Sequence, residues 1–303
     1  MWRRLIRHRY LLMLLPAIGL YTLFIVYPFG VSMFYSLTDW SGVGAYHFIG
    51  FTNYSKILFT QPFQGIFLNA LGHNFFYFLM STVTSVIFGM FVAIVLENTK
   101  FSKIYRIIYF LPIVMAIIAV GFLWNLLLNP NWGVINQFLN AIGLSTLALP
   151  WLGSMKLALP IIILVDSWRS AGFSIVVFSA ALSYIPRELI EAAHMDGAKR
   201  FDVITKITLP LLLPTFFTVM TLNFIWSFGV FDIIMALESI GGGPYYSTDT
   251  LALFFYRSSF GYTGHSSMGF GFGASIATLT FFVILIVTLV LLMVRRRIES
   301  RLF

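Results

Sequence analysis

Of the 303 residues, 59% are hydrophobic and only 10% are charged, and the mean hydropathy is +0.90. A soluble domain of this length carries about 25% charge and about 45–50% apolar residues, so the apolar surplus cannot hide in one core and most of the surface must face lipid. The lack of cysteine excludes disulfide frameworks, thiolate metal sites and cysteine nucleophiles, and the net charge of +8 gathers at the ends of apolar runs, where it signals topology rather than nucleic-acid binding.

Stretches of roughly 20 apolar residues, the length that crosses about 30 Å of hydrocarbon, recur six times, at about 11–35, 72–96, 107–128, 157–183, 211–238 and 271–294. The first follows Met1-Trp2-Arg3-Arg4-Leu5-Ile6-Arg7-His8-Arg9. Its run exceeds the roughly 7–15 residues of a signal-peptide core and has no small-x-small cleavage site, so a retained span is expected. Residues 36–70 set Trp40, Tyr46 and Tyr54 among Gly and Ser, as a loop with aromatic anchors would. Residues 129–156 open with Asn129-Pro130-Asn131-Trp132-Gly133 and then place Val134, Ile135, Phe138, Leu139 and Ile142 at helical spacing, which predicts a short interfacial helix.

With the N-terminus cytoplasmic, 15 of the 19 Lys and Arg fall on inside segments, leaving Lys56, Lys156, Arg169 and Arg257 elsewhere. That bias satisfies the positive-inside rule with both termini cytoplasmic, and it favours six spans over five or seven. The expected fold is therefore an all-α polytopic membrane protein of six transmembrane helices.

Charges inside the spans need an explanation, because one at bilayer depth costs at least about 2.5–3.5 kcal/mol. Asp166 and Arg169 in span four are three apart, hence on one face, and either neutralise each other or flank a translocation path. Asp232 and Glu238 lie toward the end of span five, after the aromatic string Asn223-Phe224-Ile225-Trp226-Ser227-Phe228-Gly229-Val230-Phe231. Gly229 there permits close packing or local unwinding, and aromatic faces beside a few polar groups suit a sugar as well as they suit helix packing. No G-x-x-x-x-G-K-[ST] is present, the Gly269-Phe270-Gly271-Phe272-Gly273 run reads as a helix start or packing site, and His8, His47, His73, His194 and His265 lack ligand spacing. Neither a metal centre nor a catalytic residue is expected.

The most informative segment is Ser183-Tyr184-Ile185-Pro186-Arg187-Glu188-Leu189-Ile190-Glu191-Ala192-Ala193-His194-Met195-Asp196-Gly197-Ala198. Pro186 suits the first helical turn, Glu188 and Glu191 suit the positive end of the dipole, and Gly197 suits a left-handed stop. Phe201, Ile204 and Ile207 then mark a second amphipathic turn, and Leu209-Pro210 and Pro214 predict a kink where span five begins. The string Glu191-Ala192-Ala193-x-x-Asp196-Gly197-Ala198, with Phe201, Ile207, Leu209-Pro210-Leu211 and Pro214, closely resembles the EAA loop of type I ABC importer permeases. Tyr27-Pro28, Ser36-Leu37-Thr38-Asp39-Trp40, Asn129-Pro130-x-x-Gly133-x-x-Asn136, Phe231-Asp232-Ile233-Ile234, Gly241-Gly242-Gly243-Pro244 and Tyr256-Arg257 extend the resemblance, to the carbohydrate-uptake branch of maltose and glycerol-3-phosphate type.

The resemblance implies a type I transmembrane domain over 71–295 with its EAA loop at about 184–214. Residues 1–70 hold the basic tail, first helix and external loop, and 296–303 form a cytoplasmic tail. It implies a multi-pass subunit of a prokaryotic cytoplasmic membrane, paired with a second homologous permease, two copies of a P-loop ATPase and an extracytoplasmic solute-binding protein that delivers the sugar. The chain would itself be no enzyme and bind no cofactor, ATP and Mg being used by the partner ATPase. Glu191, Ala192, Ala193, Asp196, Gly197, Ala198, Phe201 and Pro210 would couple to that ATPase. Ser170, Phe173, Trp226, Phe228, Gly229 and Asp232 would line the substrate path. The competing expectation is an ion-coupled secondary carrier, which would use Asp166, Arg169 and Asp232 as coupling groups.

Overall fold

The computed structural model describes residues 13–97, 99–262 and 266–302. The basic tail with Arg3, Arg4, Arg7, His8 and Arg9, and also His265, lie outside the described residues. Among the described residues every regular element is helical, and no strand forms, an isolated bridge joining Thr38 and Phe48.

The helices are α1 (Met13–Tyr35), α2 (Thr52–Phe59), α3 (Phe63–Glu97), α4 (Ser102–Val114), α5 (Ile117–Leu127), α6 (Val134–Ala141), α7 (Ala158–Ser183), α8 (Arg187–Met195), α9 (Arg200–Phe228), α10 (Asp232–Glu238), α11 (Leu251–Phe260) and α12 (Phe270–Leu302). Helices α1, α3, α7, α9 and α12 are each long and apolar enough to cross a membrane, and α4 with α5 passes the same test as a pair bent by 94°, which makes five such helices among the described residues, or six where the bent pair counts as one span. Two expected spans thus change form. The stretch 107–128 is bent at Met115–Ala116, and the stretch 211–238 ends as a helix at Phe228, leaving α10 as a separate piece. The helix at 134–141 appears where its apolar spacing put it, with Val134, Phe138 and Ile142 exposed.

The chain divides into two compact units, one running to Gly65 and including Phe255–Leu279, the other formed by Ile66–Phe254 and the residues from Thr280 onward. In the first, the loop after α1 is held by buried polar groups. Asn53 donates to the Ser36 and Thr38 carbonyls at 3.1 and 2.9 Å, and the Ser36 and Tyr54 hydroxyls meet at 2.6 Å. Asp39 accepts the His47 backbone N–H at 2.6 Å, which holds its carboxyl below the usual aspartate range. The Gly269–Gly273 run opens α12, as a helix start.

In the second unit α7 is central. It packs on α3, α4, α9 and α10, and half of its residues lie among the buried ones. Val86, Ala93, Phe178, Leu182, Leu212 and Val219 form one apolar cluster, and Val120, Ile162, Val165, Ile233, Ile234, Leu237 and Leu253 another. The second cluster explains the two altered spans, because α5 and α10 bury against each other and against α7. Pro210 and Pro214 do not break α9. A π-turn at Ile204–Thr208 widens the helix just before Pro210, where its ring would otherwise crowd the carbonyl one turn back.

The closest approach of α7 to α4 is at Gly172, where a Cβ would overlap the Tyr109 carbonyl oxygen and crowd Phe110 Cα. Gly172→Ala should therefore destabilise by about 1–3 kcal/mol, read as a lower thermal midpoint in detergent. Gly72→Ala, inside α3 with its Cβ meeting open space, should hold or raise the midpoint; equal midpoints for the two variants would contradict this packing.

Candidate functional site

Two groups of residues combine exposure with built geometry. The first is the loop between α7 and α9. Pro186 is the N-cap of α8 rather than its first helical residue, and Glu188 sits in the first turn. At the other end the Gly197 N–H donates to the His194 carbonyl at 3.0 Å and the Ala198 N–H to the Ala193 carbonyl at 2.9 Å, the double bond pattern of a Schellman stop. Gly197 has φ +82°, the left-handed conformation that a Cβ disfavours. Asp202 accepts from the Lys199 backbone N–H at 3.3 Å and pairs with Lys206 at 2.8 Å, fixing the first turn of α9.

This stiff helix–turn–helix presents an outward face. Glu191, Ala192, Asp196, Gly197 and Phe201 are exposed, Ala193 and Ala198 are half-buried, and Pro210 lies half-buried further along α9. Met195 is 89% and Phe201 76% exposed, with Leu189 and Tyr184 also in the open. Behind the loop is a cavity of about 680 Å³ lined by Ile94, Leu182, Ile190 and Val203 together with Glu97, Arg187, Glu191 and Arg200.

The second group lies within the spans. Asp166 Oδ1 accepts from Arg169 Nε and Nη2 at 3.0 and 2.9 Å, and Asp166 Oδ2 accepts the Tyr77 hydroxyl at 2.7 Å. The two charges therefore neutralise each other, with Tyr77 tying them to α3. Asp166, Arg169, Ser170 and Phe173 recur on one half-buried face of α7. The Phe173 ring meets that of Trp226 edge-on at 5.1 Å, and Ser170 Oγ is 3.3 Å from Ser85 Oγ, so Ser170, Phe173 and Trp226 form one polar and aromatic stripe across α7 and α9.

Gly229 ends α9 and Asp232 opens α10, both exposed beyond that stripe. Phe228 departs from expectation. It is 1% exposed, its ring tilted against Phe224 and edge-on to Phe75, so its surface is spent on core packing.

Sequence reasoning passed over the residues that hold this region together. Asn74 donates to the Ser227 carbonyl at 2.7 Å and accepts the Leu251 N–H at 2.9 Å. Asn223 donates to Ser81 and Thr82 at 3.0 and 3.1 Å. The signal was present, since Asn74, Tyr77, Ser81 and Ser85 recur at helical spacing in an otherwise apolar run.

Residues 85–302 match the model of the family described as the binding-protein-dependent transport system inner membrane component. The chain belongs to this family. It is 34% identical over 284 residues to the probable ABC transporter permease protein YurN of Bacillus subtilis, covering 92% of each chain. It is 35% identical over 263 residues to the diacetylchitobiose uptake system permease protein NgcF of Streptomyces coelicolor, covering 81% of this chain and 73% of NgcF. Among solved structures it resembles a chain of a bacterial alginate ABC transporter in complex with its alginate pentasaccharide-bound periplasmic protein, at 26% identity, TM-score 0.80 and 98% coverage of both chains. This inner membrane component is thus a multi-pass permease of ABC-importer type and not a self-sufficient carrier.

Asp166→Ala would strand both the Arg169 guanidinium and the Tyr77 hydroxyl. We expect it to cost on the order of 3 kcal/mol, because both charged side chains are less than one-fifth exposed. Asp166→Ala with Arg169→Ala, which leaves no uncompensated charge, should recover part of the lost thermal midpoint; a double variant no more stable than the single one would contradict the pairing.

Proposed function

We propose that this permease forms half of the path of a sugar importer, that its α8 loop docks a separate P-loop ATPase which uses ATP and Mg, and that a solute-binding protein delivers the sugar from outside. A second, homologous permease subunit completes the path, and two ATPase copies serve the pair. One observation carries the reading: the α8 loop is internally capped and stiff yet leaves Leu189, Met195 and Phe201 uncovered. Large apolar side chains grouped on a built protrusion are what a helix-in-groove contact requires, with Glu191 and Asp196 as polar rim. Ala192 and Ala193 add little bulk and so permit close approach. A stiff helix also transmits a rigid-body displacement into α7 and α9, between which it is held.

The sugar assignment draws on chemistry and on kinship together. Ser170, Phe173 and Trp226 offer hydroxyl and ring faces, the complement of a pyranose with polar edges and apolar C–H faces. The named relative acts on diacetylchitobiose and the structural neighbour on alginate. Gly229 and Asp232 extend the same path outward, whereas Phe228 supports it from within the core. Asp166 and Arg169 keep each other neutral, so neither is available as an ion-coupling group.

Gly197→Val tests the docking role, since a β-branched residue at φ +82° opposes the left-handed stop. The expected outcome is loss of uptake and of ATPase copurification with normal amounts of the chain in the membrane. Retained uptake would overturn the coupling assignment. Independently, Trp226→Ala should change transport affinity or rate with the ATPase still attached; wild-type transport by this variant would remove Trp226 from the path.

A further inference from the structure

The Gly-rich turn after α10 is not used by either site above. Glu238 is the last residue of α10, and the chain then turns through Ser239, Gly242 and Gly243, all at positive φ, before the Thr248 N–H closes the turn on the Gly242 carbonyl at 2.9 Å. Three side-chain oxygens here are buried and have no hydrogen-bond partner: Glu238 Oε1, Ser247 Oγ and Thr248 Oγ1. Thr248 is fully buried.

Glu238 and Thr248 come from two segments and both close on Gly243. Thr248 Oγ1 lies 2.6 Å, and Glu238 Oε2 3.3 Å, from the point a Cβ would occupy on Gly243, so only a glycine lets the two side chains come this near. A buried polar group left unpaired costs about 1–3 kcal/mol. Glu238 Oε1 and Thr248 Oγ1 are satisfied neither by each other nor by any described neighbour, which points to a third body that both address.

Its chemistry follows from the donors. All are oxygens, the set preferred by hard cations. One carboxylate balances one positive charge. No group of three or more acidic, His or Cys side chains suited to a metal occurs among the described residues, so the several carboxylates that a divalent ion favours are missing.

We propose that the turn after α10 binds a monovalent cation of sodium size through the Glu238 carboxylate and the Thr248 hydroxyl, with Ser247 beside them. The ion staples the end of α10 to the segment leading into α11. Because α10 packs on α5 and α7, the staple fixes the outer end of that cluster. The site does not depend on the coupling-loop assignment.

The test uses the full-length chain, with whatever partners copurify, in lipid nanodiscs. Its thermal midpoint is measured in sodium chloride and in choline chloride at equal ionic strength. The expected result is a midpoint that rises with sodium and saturates, a rise that is lost in Glu238→Gln and in Thr248→Val although both match the wild type in choline. Thr248→Val keeps the side-chain shape and carries the test if Glu238→Gln does not assemble. A wild-type midpoint indifferent to sodium, or a sodium rise that survives in the variants, overturns the proposal. Stabilisation by acid or by calcium in place of sodium also overturns it, assigning the space to a proton or a divalent ion.

Discussion

The structure depends on one constraint: polar groups within the spans have no water to bond and must satisfy one another. The stripe Asn74, Tyr77, Ser81 and Ser85 on α3 meets this constraint by addressing both neighbours. Tyr77 and Ser85 reach Asp166 and Ser170 on α7, while Asn74 and Ser81 reach Ser227 and Asn223 at the end of α9. Apolar contacts alone would let helices slide against each other as readily as against lipid, because lipid tails are equally apolar. The hydrogen bonds set register, and register is what brings Phe173 beside Trp226.

Much of this was legible in the sequence and some of it was not, for physical reasons that differ from element to element. α1, α7 and the start of α12 were found within a few residues because hydropathy over about 20 residues is a direct reading of the bilayer, while α12 runs on to Leu302, past the expected end at 294, through a charged stretch that hydropathy does not count. The left-handed stop at Gly197 was legible because a glycine after Glu191-Ala192-Ala193 has a local stereochemical use. The bend between α4 and α5 was not legible, because hydropathy runs through 107–128 almost unchanged, whereas at the break after Phe228 Gly229 allowed unwinding or close packing and left the two open. Both geometries come from the mutual burial of α5 and α10, a non-local event.

Phe228 illustrates the same limit at the scale of one residue. An aromatic side chain on a polar-flanked span has equal reason to face a sugar or a core, and composition does not distinguish them. Trp226, two positions earlier, points a different way on the helix and is half exposed, whereas Phe228 is enclosed by Phe224 and Phe75. Asp166 and Arg169 are the converse case. Their spacing alone allowed both a pair and a path role; the structure forms the pair and adds the Tyr77 hydroxyl, donated from another helix.

The arrangement also constrains how motion can pass from the loop into the spans. α8 is tied at one end to α7 through the turn at Tyr184–Pro186 and at the other to α9 through the capped turn at Lys199–Asp202. Helices α7 and α9 are in turn the two that hold Ser170, Phe173 and Trp226. A displacement applied to α8 therefore passes directly into these two helices, with no loop between α8 and either of them other than the two capped turns. The exposed loop has to be stiff for this to work, and the Schellman stop and the Asp202 bonds supply the stiffness. Where the helices do yield is at the π-turn before Pro210, a widened turn with a missing backbone donor just beyond it. A push on α8 would then bend α9 at that turn before separating it from α3, because the asparagine and serine bonds farther along α9 hold the two helices together.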